Sequence, residues 1–247
     1  MKTVLRYLAG FLVLGLLWHA GSVLLGEELL PRPVETTALF FERLATAEFW
    51  GHIGISFARL LAGLFVALAT ALPLGLLMGH WRVFDGATSP LLFITYPIPK
   101  IVLLPVFFTL VGLGDASRVL LIALTVGYQM LVILRATAQA LDPSYLQAFL
   151  SMGGTKRQAV RHVYLPALLP SLFTSLKVAS GTAMAVLFLA ESFATTSGLG
   201  YLIMDAWGMG DVAGMFVDIL AMSFLGLFFY LALGLLERVF VPWRATD

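Results

Sequence analysis

An all-α chain crossing a lipid bilayer about six times is what the amino-acid sequence predicts, and three observations carry that reading. Of 247 residues, 60% are hydrophobic and 12% charged, with a mean hydropathy of +0.95, whereas soluble domains are roughly 45–50% apolar. The apolar residues are gathered into runs long enough to cross a hydrocarbon core of about 30 Å. Glycine and proline interrupt several runs without strict alternation, and backbone groups in lipid must be satisfied internally, so helices are expected rather than a β-barrel.

The runs follow in order. Val4 to Leu25 is preceded by Lys2 and Arg6 as a signal peptide would be, but its 22 residues rise about 33 Å as helix and no A-x-A site follows, so it reads as a retained span. Five more run near Ile55 to Met78, Ala87 to Leu113, Val119 to Leu134, Ala167 to Ala190 and Val212 to Leu236. Residues 1–50 therefore hold one span and an acidic outer loop, and residues 51–247 a core of five spans. The run from Ala87 contains Pro90, Pro97, Pro99 and Pro105. Proline removes a helical N–H and clashes with the preceding turn, so this segment is expected to kink or divide. Broken backbone at membrane depth is tolerated against protein or a water-filled cavity, which makes it a candidate pathway lining; a merely bent packing helix is the alternative.

Lys and Arg placement sets the orientation. Lys2, Arg6, Arg82, Arg135, Lys156, Arg157, Arg161, Arg238 and Arg244 gather on one side, and Arg32, Arg43 and Arg118 in the loops of the other. Nine against three puts the first side, and both termini, in the cytoplasm. The scattered basic residues and net charge of +1 give no basic stripe, so nucleic acid is not an expected partner. The chain has no cysteine and four isolated histidines, which leaves no disulfide framework, no thiol nucleophile and no metal-ligand pattern.

The cytoplasmic connection 136–166 is patterned as two short helices. Asp142 suits an N-cap and Pro143 the first helical position, with Tyr145, Ala148, Phe149 and Met152 on one apolar face. Gly153 and Gly154 end that helix; Thr155 to Gln158 fits a capping box, opening a second helix expected to end before Pro166. A compact hairpin with an apolar stripe, on a chain with little soluble mass of its own, reads as a docking element for a soluble partner. The other reading is a hairpin lying in the head groups, with Lys156, Arg157 and Arg161 on anionic lipid.

The spacing Gln147-Ala148-Phe149, Gly153, Val163-Tyr164-Leu165-Pro166 resembles the cytoplasmic loop of binding-protein-dependent ABC importer permeases, whose pattern is E-A-A, three residues, Gly, nine residues, I-x-L-P. Gln147 stands for the usual Glu, Phe149 for Ala and Val163 for Ile. Ser56-Phe57-Ala58-Arg59, Tyr96-Pro97-Ile98-Pro99-Lys100, Gly112-Leu113-Gly114-Asp115 and Ala190-Glu191 followed by Gly198-Leu199-Gly200 extend the resemblance. They fit the branch importing nitrate, taurine, alkanesulfonates, bicarbonate and some vitamin-precursor pyrimidines.

The resemblance implies a non-enzymatic permease in the inner membrane. A second chain, expected to be identical, completes the pathway, and an extracytoplasmic binding protein delivers solute. Two cytoplasmic ATPases hold the ATP and Mg, so this chain carries no cofactor. The 143–166 hairpin would dock on the ATPase through Tyr145, Gln147, Ala148, Phe149, Met152, Gly153, Thr155, Val163, Leu165 and Pro166. The expected solute is a small oxyanion or sulfonate, with a vitamin-precursor pyrimidine as the alternative.

Charges inside spans are costly, about 2.5–3.5 kcal/mol even on insertion scales, so Arg59, Lys100, Lys177, Glu191 and Asp218 are candidates for function. Lys100, beside Pro97 and Pro99, is the cation expected to face the cavity. Arg59 and Glu191 read as snorkelling or paired near the outer ends, Lys177 as snorkelling, and Asp218 as hydrogen-bonded within the bundle. Tyr96, Pro97, Pro99, Lys100, Tyr128 and Glu191 are the pathway candidates, Phe93 and Phe107 are further aromatics that could line it, and Tyr201 and Trp207 could lie on an amphipathic outer helix. No phosphate-cradling G-x-x-x-x-G-K-[ST] occurs, and Glu191, Ser192 and Ser197 lack a partner histidine in sequence context, so neither nucleotide hydrolysis nor intramembrane hydrolysis is assigned here. A stand-alone channel or secondary transporter remains the rival class, though no internal repeat points to it.

Overall fold

The structure is a computed structural model describing residues 2–243, with the side chains of residues 2–4, 7 and 8 left out. Arg244, and the side chain of Lys2, counted for orientation above, lie outside the described residues. The described residues are helical and contain no strand: α1 (Lys2–Leu25), α2 (Pro33–Leu44), α3 (Ala47–His80), α4 (Arg82–Thr95), a 3-10 turn at Lys100–Leu103, α5 (Leu104–Val111), α6 (Asp115–Gln139), α7 (Pro143–Ser151), α8 (Lys156–Ala159), a π turn at Val160–Tyr164, α9 (Leu165–Glu191), α10 (Leu199–Met209) and α11 (Val212–Phe240). Among the described residues four helices are long and apolar enough to cross a membrane: α3, α6, the continuous 156–191 helix and α11. A fifth span is obtained if α4 and the 100–111 segment, bent by 88°, are taken together. The stretch Ala9–Leu25 of α1 is apolar but shorter.

The divided third run has its break where the prolines predict it. α4 ends at Thr95, Tyr96 to Pro99 turn the chain, and Pro105 enters α5 at its start, where its missing N–H has no helical partner to lose. Pro90, expected to contribute to the break, instead sits inside α4 without ending it.

The chain falls into two compact units, Met1–Ser56 with Glu191–Leu225, and Phe57–Ala190 with Gly226–Asp247. The second unit is built on a close contact between α3 and α6. A Cβ placed on Gly63 would meet Ile122 Cγ2 at 2.6 Å, one on Gly75 would meet Leu134 Cβ at 2.8 Å, and one on Gly79 would collide with Ala138. Gly63, Ala67, Ala71, Gly75 and Gly79 recur every fourth residue, and Ile122, Val126, Met130, Leu134 and Ala138 do the same on α6. Both rows are i±4 ridges, and small residues let the two backbones approach as in small-xxx-small membrane pairs.

The pairing also fixes direction. Partner numbers rise together, so α3 and α6 run parallel. The intervening α4, bend and α5 must therefore return the chain from one end of the unit to the other. α9 runs antiparallel to α6, with Arg118 donating to Ala190 O at one end and Gln129 reaching Thr182 midway. The 226–240 part of α11 is antiparallel to α9, pairing Gly226 with Met184 and Phe173 with Phe240. Residues 80, 139, 164 and 240 thus share one end, and residues 57, 115, 190 and 226 the other.

In the first unit a buried carboxylate organises a loop. Glu191 is 0% exposed; it accepts from Ser56 Oγ at 2.8 Å and from Gly200 N at 2.9 Å. Ser56 Oγ in turn accepts from Leu199 N, and Gly198 N donates to His52 Nδ1, whose ring stacks on Tyr201. The carboxylate sits on the first N–H groups of α10, where a negative charge is favoured and otherwise unpaired donors are met. Gly198 has φ +108°, and a side chain there would strike the Glu191 carboxylate, so only glycine fits the loop. Arg43 on α2 donates to Asp218 on α11 at 2.7 Å, and Phe40 stacks on Phe224.

Three outcomes are expected. Gly75→Ala lowers the thermal stability of the detergent-solubilised protein by about 1–3 kcal/mol, the usual overpacking cost. Gly86→Ala on α4, where a Cβ meets nothing within 4 Å, is neutral or stabilising. Glu191→Ala leaves buried donors unmet at about 1–3 kcal/mol, so hydrogen exchange at amides 198–201 rises about tenfold or more while peptides from 121–134 are unchanged.

Candidate functional site

The 136–166 connection is built from its caps outward. α6 closes with Ala140 N donating to Ala136 O, and two residues later Asp142 accepts from Ser144 N at 2.8 Å to start α7. That backbone hydrogen bond holds the Asp142 carboxyl below the usual carboxylate range. Pro143 occupies the first turn of α7, where its lack of an N–H costs nothing. α7 ends in a turn with Gly153 at φ +86°. Thr155 and Gln158 then form a reciprocal capping box, Gln158 Oε1 accepting from Thr155 N at 2.9 Å and Gln158 N donating to Thr155 Oγ1 at 3.3 Å.

Two expectations about this element are corrected. The second helix does not end before Pro166: it passes through the π turn, with Leu165 N donating to Val160 O, straight into α9. Widening the helix by one residue ahead of Pro166 accommodates the missing N–H and the bulk of the ring, which would otherwise end the helix. The apolar stripe is also divided. Phe149 turns inward, covering Gly154 so closely that a Cβ there would collide with its ring, and it stacks on His162 at 5.9 Å. Tyr145 and Met152 are 63% and 80% exposed, with Gln147 and Ala148 exposed between them. Val163, Leu165 and Pro166 are half-buried.

The base of the element is polar. Tyr164 is buried and its hydroxyl lies 2.7 Å from His80 Nδ1 at the end of α3. Arg135 of α6 forks onto Asp85 of α4, Nε to Oδ1 at 2.5 Å and an amino nitrogen to Oδ2 at 2.7 Å, and Gln139 Nε2 adds a bond to Oδ2 at 3.0 Å. A cleft of about 590 Å³ opens among His80, Asp85, Gln139, Asp142, Leu146 and Tyr164.

At the bend, Lys100 does not project from the broken span as a lone cation. Its Nζ donates to Thr95 O and Tyr96 O, each at 2.7 Å, and lies 4.3 Å from the centre of the Tyr128 ring. The ammonium satisfies the carbonyls that α4 leaves open, where a helix end favours a cation. Thr95 Oγ1 and Tyr128 OH are 3.0 Å apart. Tyr96 is exposed, and Pro97 and Pro99 flank Ile98 in the turn. Glu191, the other candidate for the pathway, is committed to Ser56 and Gly200 in the first unit.

The remaining intramembrane charges are paired. Arg59 donates to Asp115 at 2.8 Å. Lys177 forms an ion pair with Glu237 rather than snorkelling. Arg118, expected in an outer loop, is in the first turns of α6, 1% exposed, donating to the carbonyls of Leu113, Gly114 and Ala190. Short motifs far apart in the chain therefore meet: Ser56 with Glu191 and Gly200, Arg59 with Asp115, and the 112–115 turn with Ala190 through Arg118. Asp85 escapes the sequence reading altogether, and Arg135 enters it only as an orientation charge. The i, i+4 recurrence of small residues on α3 is the signal that could have revealed the scaffold around them.

A family model described as binding-protein-dependent transport system inner membrane component matches residues 71–241. The formylaminopyrimidine transport permease protein ThiX of Halalkalibacterium halodurans is 29% identical over 95% of this chain and 94% of its own length. The taurine transport system permease protein TauC of Escherichia coli is 27% identical over 80% of this chain and 72% of its own. In solved structures, a chain of the inward-facing MetNI methionine ABC transporter superposes with a TM-score of 0.65 at 19% identity, covering 76% of this chain and 94% of that one, which shows a shared fold. The match over residues 71–241, joined to the broken span and the glycine-turned connection, places this chain in the family of binding-protein-dependent transport system inner membrane components, the permease subunits of ABC importers.

Proposed function

We propose that, within this family, the chain works as one of two identical permease subunits whose α7 is the surface through which a cytoplasmic ATPase moves the spans. The observation that carries the reading is the exposed pair Tyr145, on α7, and Met152, at its C-cap, on a short helix stiffened by its Asp142 cap and by Phe149 packed over Gly154. An apolar anchor on a rigid support suits docking, because little freedom is lost when the partner covers it. Gln147 and Ala148 would border the contact, and Met152, Gly153, Thr155, Val163, Leu165 and Pro166 would carry or shape it. ATP and Mg belong to the two partner ATPases, whose closure would shift α7 and alternate the pathway between its openings.

The distribution of cations over the second unit supports the proposed orientation. The end that holds residues 80, 139 and 164 carries Arg82, Arg135, Lys156, Arg157, Arg161 and Arg238, against Arg59 and Arg118 at the other. The first end therefore faces the cytoplasm of an inner-membrane protein. With α1 as a span and the bent pair as one more, the spans number six and both termini are cytoplasmic.

The solute, delivered by an extracytoplasmic binding protein, is proposed to be a small organic or inorganic anion of the sulfonate, taurine, nitrate or bicarbonate kind, passing the bend lined by Tyr96, Pro97, Pro99, Lys100 and Tyr128. A second reading, a vitamin-precursor pyrimidine, is favoured by the similarity to ThiX along almost the whole chain and by the engagement of Lys100 with carbonyls.

Co-purification tests the docking. The wild type is expected to hold its ATPase, and a Tyr145→Asp, Met152→Asp variant, still membrane-inserted, to bind it about 30-fold more weakly or worse, as loss of a hot spot of about 2 kcal/mol implies. A wild type that binds no ATPase would overturn the docking role of α7. For the solute, Lys100→Ala is expected to lower uptake of labelled taurine about tenfold, the effect of about 1.4 kcal/mol; unchanged uptake sinks the anion role of Lys100 and favours the pyrimidine.

A further inference from the structure

The broken span has to be moved by something, and the only stretch of chain between α6 and α7 is Ala140 to Asp142. A displacement of α7 therefore reaches α6 across a three-residue joint. From α6 it can reach α4 through side chains that meet at both ends of α4. Arg135 and Gln139 hold Asp85 in the first turn of α4, and the Arg135 guanidinium also lies 5.4 Å from the Phe93 ring two turns further on. Tyr128 meets Thr95 at the far end, where Lys100 covers its ring.

Packing alone lets a helix slide or rotate against its neighbour, whereas a forked Arg–carboxylate pair tolerates neither without breaking two bonds. Asp85 and Arg135 are 15% and 17% exposed, so the pair is sheltered from the solvent that reduces surface ion pairs to little. We infer that the Asp85–Arg135–Gln139 cluster is a transmission clamp: it makes α4, the first half of the broken span, follow α6 when the docked α7 moves. Asp85, Arg135 and Gln139 are on this inference positioning residues for transport, acting through α4 and touching neither solute nor nucleotide. The inference rests on the docking of α7 proposed above.

The chain has no cysteine, so a pair of spin labels can be introduced without removing any native thiol. Labels at Ile94→Cys near the end of α4, and Ser144→Cys in the first turn of α7, both exposed positions, report the distance between the two ends of the transmission path. The measurement is made on the full complex with its ATPase, without nucleotide and after trapping with Mg-ATP and orthovanadate. With Asp85 and Arg135 intact, the distance distribution is expected to be narrow and the same in both states. In Asp85→Asn, which keeps size and loses the ion pair, and in Arg135→Lys, which keeps charge and loses the fork, it is expected to match the intact clamp without nucleotide and to shift or broaden on trapping. The exchanged pair Asp85→Arg, Arg135→Asp is expected to restore the unmoved distance.

The inference is overturned if the intact protein itself shifts on trapping, or if the single variants stay as narrow as it does. It is equally overturned if they are already broad without nucleotide, the sign of a merely structural pair, or if the exchange restores nothing. Retention of the ATPase by each variant separates these outcomes from failure of the docking reading, in which the unaltered chain would bind no ATPase at all.

Discussion

The contact of α3 with α6 is the constraint from which most of the second unit follows. Two membrane helices gain little from apolar surface as such, because lipid is as apolar as leucine, and they associate where their backbones can come close. Gly63, Gly75 and Gly79 provide that approach against Ile122, Leu134 and Ala138. The two helices are parallel, so the residues between them must make one return journey. That journey is made by a segment with four prolines, which cannot be one straight helix. The bend between α4 and α5 is thus required by composition and fitted into a gap that a separate packing contact defines.

Charge is handled in the same economical way. Within a bilayer an unpaired ionic group is costly, and each intramembrane charge here is placed where a partner exists. Asp115 answers Arg59, Glu237 answers Lys177, and backbone carbonyls answer Arg118 and Lys100. In the first unit Glu191 takes the place of a capping side chain at the start of α10. Lys100, Arg118 and Glu191 sit beside helix ends, where backbone donors and acceptors are already available, whereas Arg59 and Lys177 lie inside α3 and α9 and meet carboxylates.

Much of this was legible in the sequence because it rests on local rules. The caps at Asp142 and Thr155, the glycine turn and the proline-driven division depend on residues within a few positions of one another. What was not legible depends on register between distant segments. That Ser56 faces Glu191, or that Asp85 faces Arg135, follows from how helices pack, and a single chain records such partners at no fixed spacing. Phe149 is the instructive mixed case. Its position on the apolar face of α7 is readable, but the collapse of its ring onto Gly154 depends on how the turn folds back. The contacts of Lys100 belong with these, because its Nζ meets the Thr95 and Tyr96 carbonyls only where the chain turns after α4.

The π turn before Pro166 amounts to one residue inserted into an otherwise continuous helix. Deleting a residue there and restoring the α-helical register would rotate everything beyond it by about 100°. Ala190 would then leave Arg118, Thr182 would leave Gln129 and Lys177 would leave Glu237, all from one missing residue tens of ångströms away. The turn at Gly153 has no such reach, since it is followed by a fresh cap at Thr155. The two sides of one short connection thus differ sharply in the reach of a length change: one at the glycine turn disturbs the local packing of Phe149 on Gly154, while one between Val160 and Pro166 is carried along the whole of α9.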